Sequence, residues 1–291
     1  LHALGVRPDG RAFAGIAYLD GKNRAEGRFR NGPGLGVRRT TLQRALITAA
    51  REAGVLIVNE RADHPTLDPH GIQVGSRRAQ YLVAADGLHS PIRRRLGLDQ
   101  PSPSAHRWGQ RRHYRLPPWT DFVEVHWPGR GTEERTEAYV TPVGENLVGV
   151  AVLSEQPGSF QDHLSAFPLL RDRLGPAQFG TTLGAGPLRQ RSRNRVAGRV
   201  LLVGDAAGYV DALTGEGIAV GLASAEALIR CVAAGRAEDY EQQWRRASRR
   251  YRALTSGLLW SRRRPNVARV IVPAAARCPR LFRVAVDQLA R

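Results

Sequence analysis

The chain has 291 residues, 42% of them hydrophobic, and a formal net charge of +18, which is enough to bury one large α/β core or two smaller ones. Lys22 is the only lysine among 44 basic residues and the arginines are scattered, so the charge reads as the imprint of a GC-rich coding sequence; with no recognisable nucleic-acid module, nucleic acid is excluded as a partner. No run of 18 apolar residues and no signal peptide is present, and two cysteines cannot build a disulfide framework, so the chain reads as cytoplasmic.

Taken in order, residues 13–19 and 25–29 alternate like strands around Asp20-Gly21, a hairpin signal. Gly32-Pro33-Gly34-Leu35-Gly36 has only part of the spacing of a dinucleotide fingerprint and contains a proline, so it reads as a loop. A helix over 40–53 is signposted by a Thr40/Gln43 capping box, a Leu42, Leu46, Ala49, Ala53 stripe and a Gly54 stop. The apolar run 55–58 then reads as a buried strand. Residues 81–85 read as another, ending in Asp86-Gly87, with a short helix starting at Ser90.

From 107 to 155 the pattern becomes antiparallel, with β-formers over 122–127, 136–141 and 146–153. Trp108, Trp119, Trp127 and Tyr139 either face a pocket or pack as ordinary aromatics on a half-buried sheet. His106, His113 and His126 lack metal-ligand spacing, so no metal is expected. Residues 160–174 read as one helix and 186–195 as a strand-rich return.

The run 200–203 suits a strand covered on both faces. It stops at Gly204-Asp205, which places a carboxylate at the strand's carboxyl end, where open α/β sheets bind ligands. Thr214-Gly215-Glu216-Gly217 then opens a helix whose Ile218, Leu222, Ala225 and Ile229 fall near one face. Such a helix start, bare of bulky side chains, favours an anion. Beyond 236 the chain is helical and basic, with Tyr240, Trp244, Tyr251, Leu254, Leu258 and Leu259 at helical spacing. The tail, 267–289, is apolar between Arg277, Arg280 and Arg283.

The stretch GDAAGYVDALTGEGI, residues 204–218, resembles the second flavin-binding motif of the FAD-dependent oxidoreductases of the p-hydroxybenzoate hydroxylase-like superfamily. Within that superfamily it is most similar to the geranylgeranyl reductase family. Asp86-Gly87 resembles the Asp-Gly motif of the same proteins, and Arg39, Leu42 and Leu46 resemble their Arg-Leu-Leu helix start. The resemblance implies an α/β fold: a parallel FAD-binding sheet over 1–105 and 190–235, an antiparallel substrate sheet inserted over 106–189, and C-terminal helices over 236–291. It implies that Asp205, after Gly204, bonds the ribityl chain of FAD, that the backbone of Thr214, Gly215, Glu216, Gly217 and Ile218 lies against the pyrimidine edge, and that Asp86 and Gly87 turn beside the diphosphate with Arg93 packed nearby. Arg39 is either a diphosphate neighbour or a solvated arginine beside Arg38.

The activity so implied is reduction of a hydrophobic, isoprenoid-like small molecule by flavin that NAD(P)H or another donor has reduced. Gly208 and Ala212 stand where aromatic hydroxylases have His and Pro, which favours the reductase over a monooxygenase acting on a small aromatic or secondary metabolite. No catalytic residue is assigned, because the cofactor carries the chemistry. The C-terminal tail either caps the flavin domain, the favoured reading, or lies on a membrane surface. No strand, Gly-x-Gly-x-x-Gly turn and helix precede these motifs. The sequence is therefore expected to lack the start of the flavin domain and, alone, to hold FAD poorly or not at all; a non-catalytic remnant that no longer binds FAD is the remaining alternative. Oligomeric state is left open.

Overall fold

The computed structural model describes all residues except 63, 69–70, 103–106, 129–135 and 290–291. Residues 1–59, 108–185 and 262–291 form one compact unit, and residues 60–107 and 186–261 form another. The fold is mixed α/β, with a large mixed sheet and C-terminal helices.

The first unit is built on the expected alternation. In Thr136–Gly144 and Leu147–Ser154 every second residue faces the core, so Ala138, Val140, Val148, Val150 and Val152 are at most 1% exposed. These strands pair antiparallel with Val140 opposite Val150. The sheet has seven strands, in the order Leu183–Ala185, Trp108–Tyr114, Leu147–Ser154, Thr136–Gly144, Phe122–His126, Gly15–Leu19, Arg24–Arg28. The Asp20-Gly21 hairpin is present, with Leu19 opposite Arg24, and the Asp20 carboxylate accepts the Lys22 and Asn23 amides. It adds to the antiparallel strands through a parallel pair, Val125 opposite Tyr18, which local pattern could not show. One face is covered by Phe160, Leu164, Phe167, Leu170 and Leu174. Apart from Phe167, the N-cap of the second, these residues lie on two helices, Phe160–Leu164 and Pro168–Leu174, because Pro168 cannot continue the expected single helix over 160–174.

The C-terminal helices also belong to this unit. Phe282 and Val286 pack with Ala25, Ile16 and Tyr18, and Val272 packs with Val125 and Trp127. The tail thus covers the hairpin end of the large sheet, and the hairpin lies within the 1–105 stretch that the sequence reading gave to the flavin domain. Among the described residues no helix is long and apolar enough to cross a membrane.

Three local readings of this unit change. Gly34–Gly36 is a strand paired with Arg11–Phe13; a Cβ on Gly36 would stand 1.9 Å from the Pro142 carbonyl oxygen, so the glycine permits a backbone approach instead of marking a loop. The helix runs over Arg39–Glu52, but its N-cap is Arg38 without a side-chain cap bond, and Leu42 alone is buried. The Thr40/Gln43 box does not form because the N-cap falls two residues before Thr40. Residues 55–58 form no strand, and Val55, Leu56, Ile57 and Val58 are 40–74% exposed. An apolar run specifies a strand only where a neighbour supplies hydrogen bonds, and no described strand pairs with it.

In the second unit Val200–Leu202 lies between Val196–Ala197, antiparallel, and Leu82–Ala84, parallel. Val200, Leu201 and Leu202 are fully buried, a gain of about 1.5–3 kcal/mol for each side chain. The helix Gly217–Ala233 turns Ser224, Ala227, Leu228 and Cys231 to the core, while Ile218 and Ile229 are 45% and 62% exposed. The expected Ile218, Leu222, Ala225, Ile229 face is therefore not the buried one. This helix is apolar nearly all round, so periodicity could not choose a face; small residues won because they let the helix approach the Gly204 turn closely, a Cβ on Gly221 lying 3.8 Å from the Gly204 Cα. The helix Tyr240–Arg262 buries Tyr240, Trp244, Tyr251 and Leu259 as its spacing predicts, and the Tyr240 hydroxyl donates to the Leu202 carbonyl at 2.9 Å.

Candidate functional site

The parallel strands Leu82–Ala84 and Val200–Leu202 end side by side, with Ala84 opposite Leu202 and the Val203 amide donating to the Ala84 carbonyl at 3.0 Å. Both acid-tipped turns thus leave the carboxyl edge of one sheet, the usual ligand edge of open α/β folds. Each turn needs a glycine in the left-handed region, Gly87 at φ 83° and Gly204 at φ 60°. Asp86 is exposed, and its Oδ2 accepts the Ile92 amide at 3.1 Å. Ser90 caps the short helix Pro91–Arg95 by accepting the Arg93 amide at 3.0 Å. A carboxylate bonded in this way orients the turn.

Arg93 locks the two turns together. Its side chain is 1% exposed, and its guanidinium donates to the Leu88 carbonyl (3.0 Å), the Ala206 carbonyl (3.0 Å), the Asp205 carbonyl (3.4 Å), Gln190 Oε1 (3.1 Å) and Asp99 Oδ1 (2.5 Å). A planar fork with five donors can satisfy several carbonyls at once, which a lysine cannot.

The segment from Gly208 to Glu216 is held from beneath. Tyr209 exchanges backbone hydrogen bonds with Gln190 at 2.9 and 3.0 Å. Asp211, 3% exposed, pairs with the equally buried Arg107 at 2.8 Å and accepts the Leu213 amide at 3.0 Å. The Tyr251 hydroxyl donates to the Asp211 carbonyl at 2.8 Å, and the Thr214 and Thr255 hydroxyls lie 3.1 Å apart. Burial pushes the Tyr251 hydroxyl up to about 12, against the opposing effect of its hydrogen bonds to Asp211 and Val210, so it is a neutral donor at ordinary pH.

Beyond this support the edge is open. A Cβ on Gly87, Gly204 or Gly215 would meet no atom within 4 Å. The helix Gly217–Ala233 begins without a side-chain cap, leaving its first amides and positive dipole end for a ligand. Ile218 is 45% exposed and does not plug the approach. Glu216 Oε2 is buried without a hydrogen-bond partner. Burial raises the Glu216 carboxyl above its ordinary range, with the Thr214 hydrogen bond and the Arg250 charge opposing, so this acid sits more readily beside an electron-rich group than an ordinary glutamate would.

No family model matches the chain. The sequence is 27% identical over 234 residues to the digeranylgeranylglycerophospholipid reductase of Methanoculleus marisnigri, covering 71% of this chain and 58% of that protein. It is 28% identical over 240 residues to conditioned medium factor receptor 1 of Dictyostelium discoideum, covering 73% of this chain and 46% of that one. Among solved structures, a triple mutant of a flavin-dependent brominase matches with a TM-score of 0.73 at 15% identity, over 100% of this chain and 86% of that chain. The fold is that of the FAD-dependent oxidoreductases.

The resemblance read from the motifs is thereby met on both sides, by a geranylgeranyl-type reductase in sequence and by a flavin-dependent enzyme in fold. The chain spans about half the length of these curated relatives, 58% and 46%. Within the flavoprotein fold, the structure gathers Asp86, Gly87, Gly204 and Asp205 at one sheet edge, with the Gly217 helix packed on the Gly204 turn. Arg39 opens a helix of the other unit and is exposed there. Sequence reasoning missed the fastening role of Arg93, the buried Arg107 and Asp211 pair, and Tyr251. Arg93 sits in a run of three arginines that composition cannot tell apart; its position three residues after the capping Ser90 is the signal that could have singled it out.

Proposed function

We propose that this protein is an FAD-dependent oxidoreductase whose second unit cradles the isoalloxazine and ribityl parts of the cofactor. The observation that carries the reading is the fastening of both acid-tipped turns by Arg93 at one sheet edge, next to an uncapped helix start. Asp205 holds the ribityl hydroxyls, the amides from Thr214 to Ile218 meet the pyrimidine edge, and Asp86 with Gly87 shapes the turn beside the diphosphate. FAD supplies the hydride or oxygen chemistry when bound. The chain's own part is to place the ring, to present N–H groups to its negatively charged form, and to set near that charge Glu216, whose carboxyl burial raises above its ordinary range. Arg39 belongs to the other unit and is left out of this set.

The substrate in this reading is a hydrophobic, isoprenoid-like compound, reduced with electrons from NAD(P)H. It is supported by the name of the first relative, a digeranylgeranylglycerophospholipid reductase, and by Gly208, which leaves the position after the Asp205 turn without a side chain. The test is to follow flavin absorbance in FAD-loaded protein without oxygen, adding NADH or NADPH and then a polyprenyl alkene. Bleaching by the donor and recovery on adding the alkene is the expected result. Recovery only when oxygen is admitted, with substrate-dependent oxygen consumption, would make the protein a monooxygenase; absence of bleaching by either donor would reject NAD(P)H.

A further inference from the structure

The second unit holds a concavity of about 600 Å³ between the 189–195 segment, the Gly208–Val210 turn and the helix Tyr240–Arg262. None of the residues proposed to touch flavin lines it. Six arginines do, Arg189, Arg191, Arg193, Arg195, Arg245 and Arg252, and among the described lining residues there is no aspartate or glutamate. The chain's general richness in arginine does not account for this, since scattered surface arginines face water and do not converge on a hollow.

The walls are organised. Arg195 is 9% exposed; its Nε donates to the Ala207 carbonyl at 3.0 Å and its Nη1 pairs with Glu241 at 3.1 Å. Its guanidinium stacks 3.9 Å over the ring of Trp244, and that of Arg252 lies 5.6 Å from the same ring. Tyr209, Tyr251 and Val220 add an apolar side. Ser248, which also lines the hollow, is 1% exposed, and its Oγ is buried with no hydrogen-bond partner. A buried hydroxyl left unmade costs about 1–3 kcal/mol, and a ligand oxygen would relieve that cost. Guanidinium groups match phosphate oxygens in paired geometry, and the volume holds more than a single phosphate.

We infer that this hollow is a second ligand site, one that takes the diphosphate group of a small molecule whose apolar or aromatic body rests on the Trp244 and Tyr209 side. The inference does not depend on the flavin reading.

The probe is inorganic pyrophosphate, titrated calorimetrically into the 291-residue chain at physiological ionic strength, where loose surface pairing is screened. Saturable one-to-one binding is expected. The double variant Arg193→Gln/Arg252→Gln should bind about tenfold more weakly or worse, and Ser248→Ala about threefold more weakly. The control Arg246→Gln/Arg249→Gln, which removes two exposed arginines of the same helix outside the hollow, should bind like the parent. Asp205→Ala should also leave pyrophosphate binding unchanged. ADP and isopentenyl diphosphate, compared as competitors, separate a nucleotide from an alkyl source of the group; displacement by either sustains the assignment. Absence of saturable binding, equal losses in the two double variants, or loss on Asp205→Ala would overturn it, the last by merging the hollow with the flavin cradle.

Discussion

At the scale of single residues, the second unit depends on buried charged groups held by hydrogen bonds and ion pairs. Replacing Arg93 with Met keeps the bulk but strands the Leu88 and Ala206 carbonyls it now serves, and should cost about 2–4 kcal/mol in urea unfolding. Arg93→Lys should recover little of that loss, because one ammonium cannot reach all the acceptors of the fork. Arg107→Met takes the guanidinium away from the Asp211 carboxylate, which is buried at 3% exposure. A loss of about 3–5 kcal/mol is expected, and Arg107→Met/Asp211→Asn should restore part of it. Equal stability of the single and double variants would show that the pair is not coupled. None of these partnerships was visible in the sequence, where a buried arginine and a solvated one are the same letter.

At the scale of elements, what the sequence showed was local. The runs ending in Asp86 and Asp205, the glycine stops and the alternation of the large sheet all report a residue's immediate neighbours, and they appear as read. Failures came where a partner decides the outcome. Residues 55–58 have strand composition and no described strand beside them, and the Gly217 helix has apolar residues on every side. The polar cluster in the large sheet is a further case. Glu124 is 3% exposed in its side chain and is bonded by Arg24 (2.6 Å), Trp119 (3.1 Å) and His126 (3.1 Å). Burial by itself would raise its carboxyl, but the hydrogen bonds from His126, Arg24 and Trp119 outweigh burial and hold it at about 2, against an ordinary value of 4.5. A carboxyl depressed on folding stabilises the fold above its unfolded value, and that stabilisation is lost as pH falls from about 4.5 through about 2. Glu124→Gln should flatten the acid limb of stability in this window, as followed by circular dichroism during acid titration. An unchanged acid limb would mean that Glu124 does not contribute to it.

At the scale of the whole molecule, two units carry separate burdens. One buries a mixed sheet under short helices and the C-terminal tail; the other brings two turns, more than a hundred residues apart in sequence, to one sheet edge. The motifs foretold that edge because the turn chemistry is compressed into a few glycines and acids. The assignment of the tail to the large sheet was not legible, since an amphipathic helix does not name the face that it covers. The Arg93 fastening and the arginine-lined hollow are likewise properties of three-dimensional convergence.

The most direct measurement is a titration of FAD into the 291-residue chain, followed by quenching of flavin fluorescence, with the parent compared against Asp205→Ala and Gly215→Val. Weak but saturable quenching is expected, reduced about tenfold or more in each variant, since one removes a charged acceptor and the other puts a side chain on a glycine at φ 72° in the open cradle. Absence of quenching by the parent, or equal affinity in all three proteins, would contradict a flavin held at this edge.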